Sequence, residues 1–175
     1  MELLESWENN DLVIQEIIMN PGYMKLLFDI ALTSNHLKSW RAAWLADKIN
    51  NNNPELIEPY LDLIISSLTP EASSSLKRHL LKLISLHPIP EKYISKILDY
   101  SLNCFSSASE PVAVRVHALQ ILYNISEIEP DFKPELLEII AHESEIHSSP
   151  GITSRGKKLA KKLHLQIRQS GIRFI

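Results

Sequence analysis

The sequence predicts an all-helical fold, a solenoid of about four helix pairs. Three observations predict it. The 175 residues include only four glycines against ten prolines, which suits helices punctuated by proline better than sheet, because hairpins and bulges draw on glycine for positive φ. Apolar residues recur at intervals of three and four, the helical period. And LKRHLLKLI, Leu76 to Ile84, returns 38 positions later as VRVHALQIL, Val114 to Leu122. The two share a basic residue in second place, a His in fourth, and apolar residues in first, fifth, sixth, eighth and ninth.

Two less faithful copies follow the same rule, WRAAWLADKI from Trp40 and SRGKKLAKKL from Ser154. Aligned on their basic residues, the four copies give Arg41, Lys77, Arg115 and Arg155, spaced 36, 38 and 40 apart, each followed four residues later by Leu45, Leu81, Leu119 or Leu159. Upstream of each lies an acid-marked segment: YMKLLFDIAL with Asp29, LIEPYLDLII with Asp62, YISKILDYSL with Asp99 and PELLEIIA with Glu138. The acidic and basic series read as a structural ladder, and the leucines as equivalent buried seats. The repeats run about 21–50, 54–87, 90–126 and 130–170. Residues 1–20 are expected to form capping helices and 171–175 a C-terminal tail.

Leu3, Leu4, Trp7, Leu12, Val13, Ile17 and Ile18 supply the N-terminal face expected to cover the first repeat. YMKLLFDIAL is apolar on two sides, Tyr23, Leu26, Leu27 and Ile30 on one and Met24, Phe28 and Leu32 on the other, which predicts neighbours on both. Prolines at 21, 54, 70, 90, 111, 134 and 150 fall between apolar segments, where Pro suits a first helical turn. Pro59 lies inside one; it should kink the second acid-marked helix or delay its regular start to about Glu58. In LAKKLHLQI, Leu159, Leu163 and Ile167 form a narrow seam flanked by cations, as expected of a last helix docking one side on the array.

EPVAVRVHALQIL, Glu110 to Leu122, with SSLKRHLLKLI and WRAAWL in support, resembles the HEAT and armadillo-like repeats, whose second helix opens on an acidic residue, Pro, Val-Arg, Ala and Leu. The resemblance covers about Tyr23 to Leu163. It implies a right-handed α-α superhelix with the second helices on the concave side, and an Arg that meets acidic groups of the turn or a neighbouring repeat, here Arg115 with Glu110 or Asp99. The first and last copies lack the acid-Pro opening, so Arg41 and Arg155 are free to pair differently, as terminal repeats do.

Composition narrows the function. The hydrophobic share of 45% and the charged share of 22% describe a globular chain. No run approaches the ~18 uncharged apolar residues of a membrane span, and MELLESWENNDL lacks the basic patch and apolar run of a signal peptide, so a cytoplasmic location is expected. Cys104 is single, excluding an internal disulfide or a thiolate metal site; beside Leu102 and Phe105 it reads as a buried structural thiol. In HESEIH the two His are five apart, off the three or four that puts a zinc pair on one helix face. No phosphate loop and no Ser, His and acid grouping stands out, so neither cofactor nor metal is expected.

Charge is polarised. Residues 1–153 carry 11 Lys or Arg against 21 Asp or Glu, whereas residues 154–175 carry seven basic residues and no acid. The expected function is a non-enzymatic protein-interaction scaffold, with His79, Lys82, His117, Gln120, Lys157 and Lys161 as a ridge on the concave side implied by the resemblance. Trp40, one turn before Trp44, is a candidate aromatic anchor. The alternatives are a nucleic-acid binder resembling the armadillo-like DNA glycosylases of alkylation repair, using the basic C-terminal helix, and a structural subunit of a larger assembly with Phe174 and Ile175 as an apolar hook.

Overall fold

A computed structural model of the chain describes residues 9–33, 38–147 and 149–170. Among these are nine α-helices, several 3-10 turns and no strand, the all-α repeat fold expected. The helices group into two compact units, residues 1–88 and 89–175.

The first unit holds α1 (Asn10–Met19), α2 (Tyr23–Leu32), α3 (Ser39–Asn50), α4 (Leu61–Ser66) and α5 (Ser74–Ser85). Helix α3 is its centre, packed against α1, α2 and α5, and for that reason it is lined by small residues: Ala42, Ala43 and Ala46 are fully buried beside Leu45 and Ile49. Ser73 caps α5, its hydroxyl accepting from Leu76 N at 3.3 Å, which satisfies one of the free N–H groups of the first turn. The second acid-marked segment is not one helix. It is two 3-10 turns, Pro54–Leu56 and Glu58–Tyr60, followed by the six residues of α4. Pro59 has no N–H to give and its ring crowds the carbonyl four residues back, so regular α-helix waits until Leu61.

The expectation that α2 is covered on both sides is corrected. Met24, Leu27, Phe28 and Ala31 are buried, and Phe28 stacks on Tyr60 with ring centroids 4.8 Å apart. Tyr23 and Leu26 face outward, Leu26 with 57% of its surface exposed. Helix α1 lies against α3 and buries Ile17, while Leu12 stands 70% exposed instead of covering the first pair. Leu3, Leu4 and Trp7 lie outside the described residues.

The second unit holds α6 (Ile94–Ser106), α7 (Val112–Ile128), α8 (Lys133–Ile146) and α9 (Pro150–Ser170). Helix α7 is central, in contact with α6, α8 and α9, and α8 and α9 pack on one another. Leading 3-10 turns at Glu91–Tyr93 and Pro130–Phe132 open on or just after proline. Ser149 sits ahead of Pro150, its hydroxyl accepting from Ile152 N at 3.3 Å, the N-cap followed by proline that starts a helix well. Leu45, Leu81, Leu119 and Leu159 are all buried, as are Leu163, Ile167 and Cys104. The repeat period therefore marks the core-facing side of α3, α5, α7 and α9.

Candidate functional site

The polar residues that the repeat singles out divide into those used up in holding helices together and those left at the surface. His79 belongs to the first group. It is 3% exposed, against an expected place on a binding ridge. Arginine can only donate, so His79 Nε2 accepts from Arg78 Nη2 at 2.9 Å and Nδ1 carries the ring proton, 3.3 Å from Asp47 Oδ2. Lys82 Nζ lies 2.6 Å from Asp47 Oδ1. Burial alone would push the Asp47 carboxyl upward, but the His79 hydrogen bond and the Lys82 ammonium outweigh it and hold Asp47 below its ordinary 3.8. One carboxylate on α3 thus pins two residues of α5. Nearby, His87 Nε2 donates to Asn50 Oδ1 at 2.6 Å, and burial pushes the His87 ring below its ordinary 6.5 despite the pull of Glu58.

Trp40 and Trp44 are both half-buried. The Arg41 guanidinium lies 5.5 Å from the Trp40 ring centre and Lys48 Nζ 5.4 Å from that of Trp44, within cation–π range. Trp44 is therefore not the fully enclosed core residue that Leu80 and Ala118 are at its equivalent positions.

In the second unit Arg115 is 4% exposed. Its Nε donates to the Phe105 carbonyl and its Nη2 to Glu143 Oε2, both at 2.7 Å, and its guanidinium lies 5.8 Å from the Phe105 ring centre. His147 Nδ1 reaches the same Glu143 oxygen at 3.1 Å. The expected pairing with Glu110 or Asp99 is corrected to Glu143. Asp99 is six residues before Phe105, about 240° round helix α6, and is exposed, so it faces away from the carbonyl that Arg115 grips. The acidic ladder lies outside the core throughout: Asp29, Asp62, Asp99 and Glu138 are all exposed, while on the basic side Lys77 is buried and Arg41 and Arg155 are half-buried. Asp29 pairs with Lys25 at 2.8 Å on the surface.

Gln120 also serves the fold. Its Oε1 accepts from Arg155 Nη1 at 3.0 Å and its Nε2 donates to Asn124 at 2.8 Å, tying α9 to α7. Gln166 extends that seam to Tyr123 Oη at 3.2 Å and Glu127 at 2.9 Å. His117 is half-buried on α7. Of the expected ridge, Lys157 and Lys161 are exposed, on α9 with Lys158, Lys162 and Arg168.

Sequence reasoning passed over Asp47 and Glu143, although each left a signal. Asp47 stands two residues after its ladder leucine, where the next two copies carry the buried Leu83 and Ile121. Glu143 stands five after Glu138, as the buried Cys104 stands five after Asp99. An acid written into an apolar column announces a buried cation partner.

Among the described residues are two open grooves. One, of about 780 Å³, runs between α1 and α2 and is lined by Leu12, Val13, Ile17, Met19, Tyr23 and Leu26 among others. Leu26 occupies the place that the other pairs give to Pro59, Lys96 and Glu135. The second, of about 420 Å³, runs between α8 and α9. Ile140, Ala141 and Ala160 make its apolar floor, Glu138 one wall and Lys157 and His164 the other. Gly156 makes this pair close: a Cβ there would stand 3.2 Å from Ile140 Cγ2.

Among the described residues no helix is long and apolar enough to cross a membrane. The model of the HEAT repeat domain matches residues 4–163. No curated protein and no solved structure matches the chain.

Proposed function

Because the chain belongs to the HEAT repeat family, we propose that it is a non-enzymatic, cytoplasmic interaction scaffold that holds a protein segment against its helix pairs. The observation that carries this reading is where the apolar surface is left open. Both grooves lie between helices of a pair, have apolar floors and carry charged residues at their edges, the arrangement by which a helical repeat receives a peptide or helix. His79 and Gln120 serve internal contacts, so the binding surface moves from the ridge to the grooves.

The test is affinity capture from native lysate after nuclease treatment, comparing wild type with Lys157→Glu/Lys161→Glu and with Tyr23→Glu/Leu26→Glu. These side chains are all exposed, so the fold tolerates the changes. A defined set of proteins lost from one variant is expected. Identical protein lists for all three would sink the scaffold reading.

A second reading, contact with nucleic acid, is favoured by one feature, the five exposed cations of α9 with no acid from residue 154 onward. Neutralising about four phosphates would make log K fall with log salt at a slope of about −3 to −4. Binding of an oligonucleotide that ignores salt, or survives reversal of Lys157, Lys158, Lys161 and Lys162, removes it. The apolar hook at Phe174 and Ile175, and with it the assembly-subunit reading, falls outside the described residues.

A further inference from the structure

We infer that the groove between α8 and α9 receives an acidic amphipathic helix of a partner protein, with its carboxylates along the α9 wall and its small apolar residues on the floor. The inference rests on the scaffold reading and names its site and the chemistry of its partner.

At 100° per residue, Lys157, Lys161, His164 and Arg168 fall within about 60° of one another on α9; Lys157 and His164 line the groove, and Lys161 and Arg168 continue their stripe along the exposed side. The buried seam Ile152, Leu159, Leu163 and Ile167 faces the core, and Arg155 and Gln166 turn the other way, to α7. The stripe from Lys157 to Arg168 is about 17 Å long, three turns of helix. Lys157 and Lys161 stand one turn apart, about 6 Å, which is also the spacing of carboxylates at i and i+4 on a partner helix.

The arrangement works against the helix that carries it. Like charges at i and i+4 destabilise an exposed helix, and opposite charges stabilise it, as Lys25 and Asp29 do on α2. A helix serving only to close the array would gain from mixed signs. Concentrating one sign along the edge of an apolar groove is what an opposing acidic surface requires.

The floor decides between classes of partner. Ala141 and Ala160 are small enough for a second backbone to approach, with Ile140 below them. An apolar floor offers nothing to a phosphate chain, and a duplex laid along a stripe this short would run on past it. Glu138 on the opposite wall repels a polyanion but suits a helix with one acidic edge and a neutral or basic residue on the other, and so sets the direction in which the helix lies.

The experiment uses the full chain and a fluorescent peptide of about 14 residues, four turns, with Glu at i, i+4, i+8 and i+11 beside an Ala/Leu stripe. Its Gln counterpart and a single-stranded oligonucleotide are the comparison probes. Anisotropy is expected to show binding of the Glu peptide that weakens at least about tenfold in Lys157→Glu/Lys161→Glu, as loss and reversal of close charge pairs does. Ala160→Trp, which fills the floor, is expected to abolish it, and Tyr23→Glu/Leu26→Glu to leave it unchanged. Equal binding of the Gln peptide, or a Glu peptide indifferent to Ala160→Trp, overturns the inference. So does an oligonucleotide that binds more tightly than the peptide and ignores Ala160→Trp, since that describes a phosphate site. If the α8/α9 variants change nothing while Tyr23→Glu/Leu26→Glu loses captured proteins, the site fails and the scaffold reading stands. If no variant loses any, both fail.

Discussion

Replacing Glu143 by Ala removes the carboxylate 2.7 Å from the buried Arg115 guanidinium and leaves an arginine that cannot shed its proton. Taking one partner from a buried ion pair costs about 3–5 kcal/mol, since the remaining charge stays out of water. Here the Phe105 carbonyl still accepts from Arg115 Nε and the Phe105 ring still faces the guanidinium, so the lower end, about 3 kcal/mol, is expected. At about 2–4 °C per kcal/mol for a chain of this size, the melting temperature falls by about 6–12 °C. Arg115→Met/Glu143→Leu removes both charges and loses the bond to the Phe105 carbonyl and the His147 contact with Glu143, about 1 kcal/mol each. The double variant is thus more stable than Glu143→Ala. Urea titration gives the equilibrium cost, and hydrogen exchange locates it: Arg115 joins α6, α7 and α8, so lost protection should centre on residues 94–146. Glu145→Ala, at an exposed position of the same helix, is the control and should stay within about 0.5 kcal/mol of wild type. If Glu143→Ala costs under about 1 kcal/mol, or the double variant costs the sum of the singles, the pair does not hold the unit together as described.

Stability should fall with acid in two steps, read by urea midpoints between pH 8 and 3. His87 has a folded pKa below its ordinary 6.5, so its contribution is complete above about pH 6.5 and lost as pH falls toward the lower folded value; His87→Gln removes that step. Asp47 is held below 3.8, so its contribution is complete above about 3.8 and lost as pH falls through the folded value; Asp47→Asn flattens that window and lowers stability at neutral pH. Ser101 Oγ is fully buried and makes no hydrogen bond among the described residues, so Ser101→Ala should raise stability by about 1 kcal/mol, visible as a later thermal midpoint. Leu119→Ala, at a ladder position with no exposed surface, should cost about 2–5 kcal/mol, whereas Leu165→Ala on the open face of α9 should lie within about 0.5 kcal/mol of wild type.

The division between what the sequence disclosed and what it did not follows the range of the interactions involved. Helix pairs and the core side of each second helix were legible because apolar periodicity is local and is repeated four times: Leu45, Leu81, Leu119 and Leu159 are buried where the register put them. The break at Pro59 was legible too, through the missing N–H. Partners were not. Arg115 reaches Glu143, 28 residues on, and the Phe105 carbonyl, and a backbone acceptor leaves no mark in the residue code. His79 was misjudged for the same reason: its local pattern matches that of His117, and nothing in that pattern marks the contact with Asp47, 32 residues back.

That contrast bears on function. A polar residue recurring at one place in a repeat invites the inference of a continuous binding row, yet position in the repeat does not determine exposure. At the His79 column the residues run from fully buried Ala43, through buried His79 and half-buried His117, to exposed Lys157. Desolvation is what separates them. Where the facing helix supplies an acid, as Asp47 does for His79, the polar residue is drawn inside to satisfy it; where the flank of a helix is left open, as along α9, the residue stays in water and remains able to meet another molecule. Lys157 keeps that freedom beside an apolar floor, and His79 has exchanged it for the junction of α3 and α5.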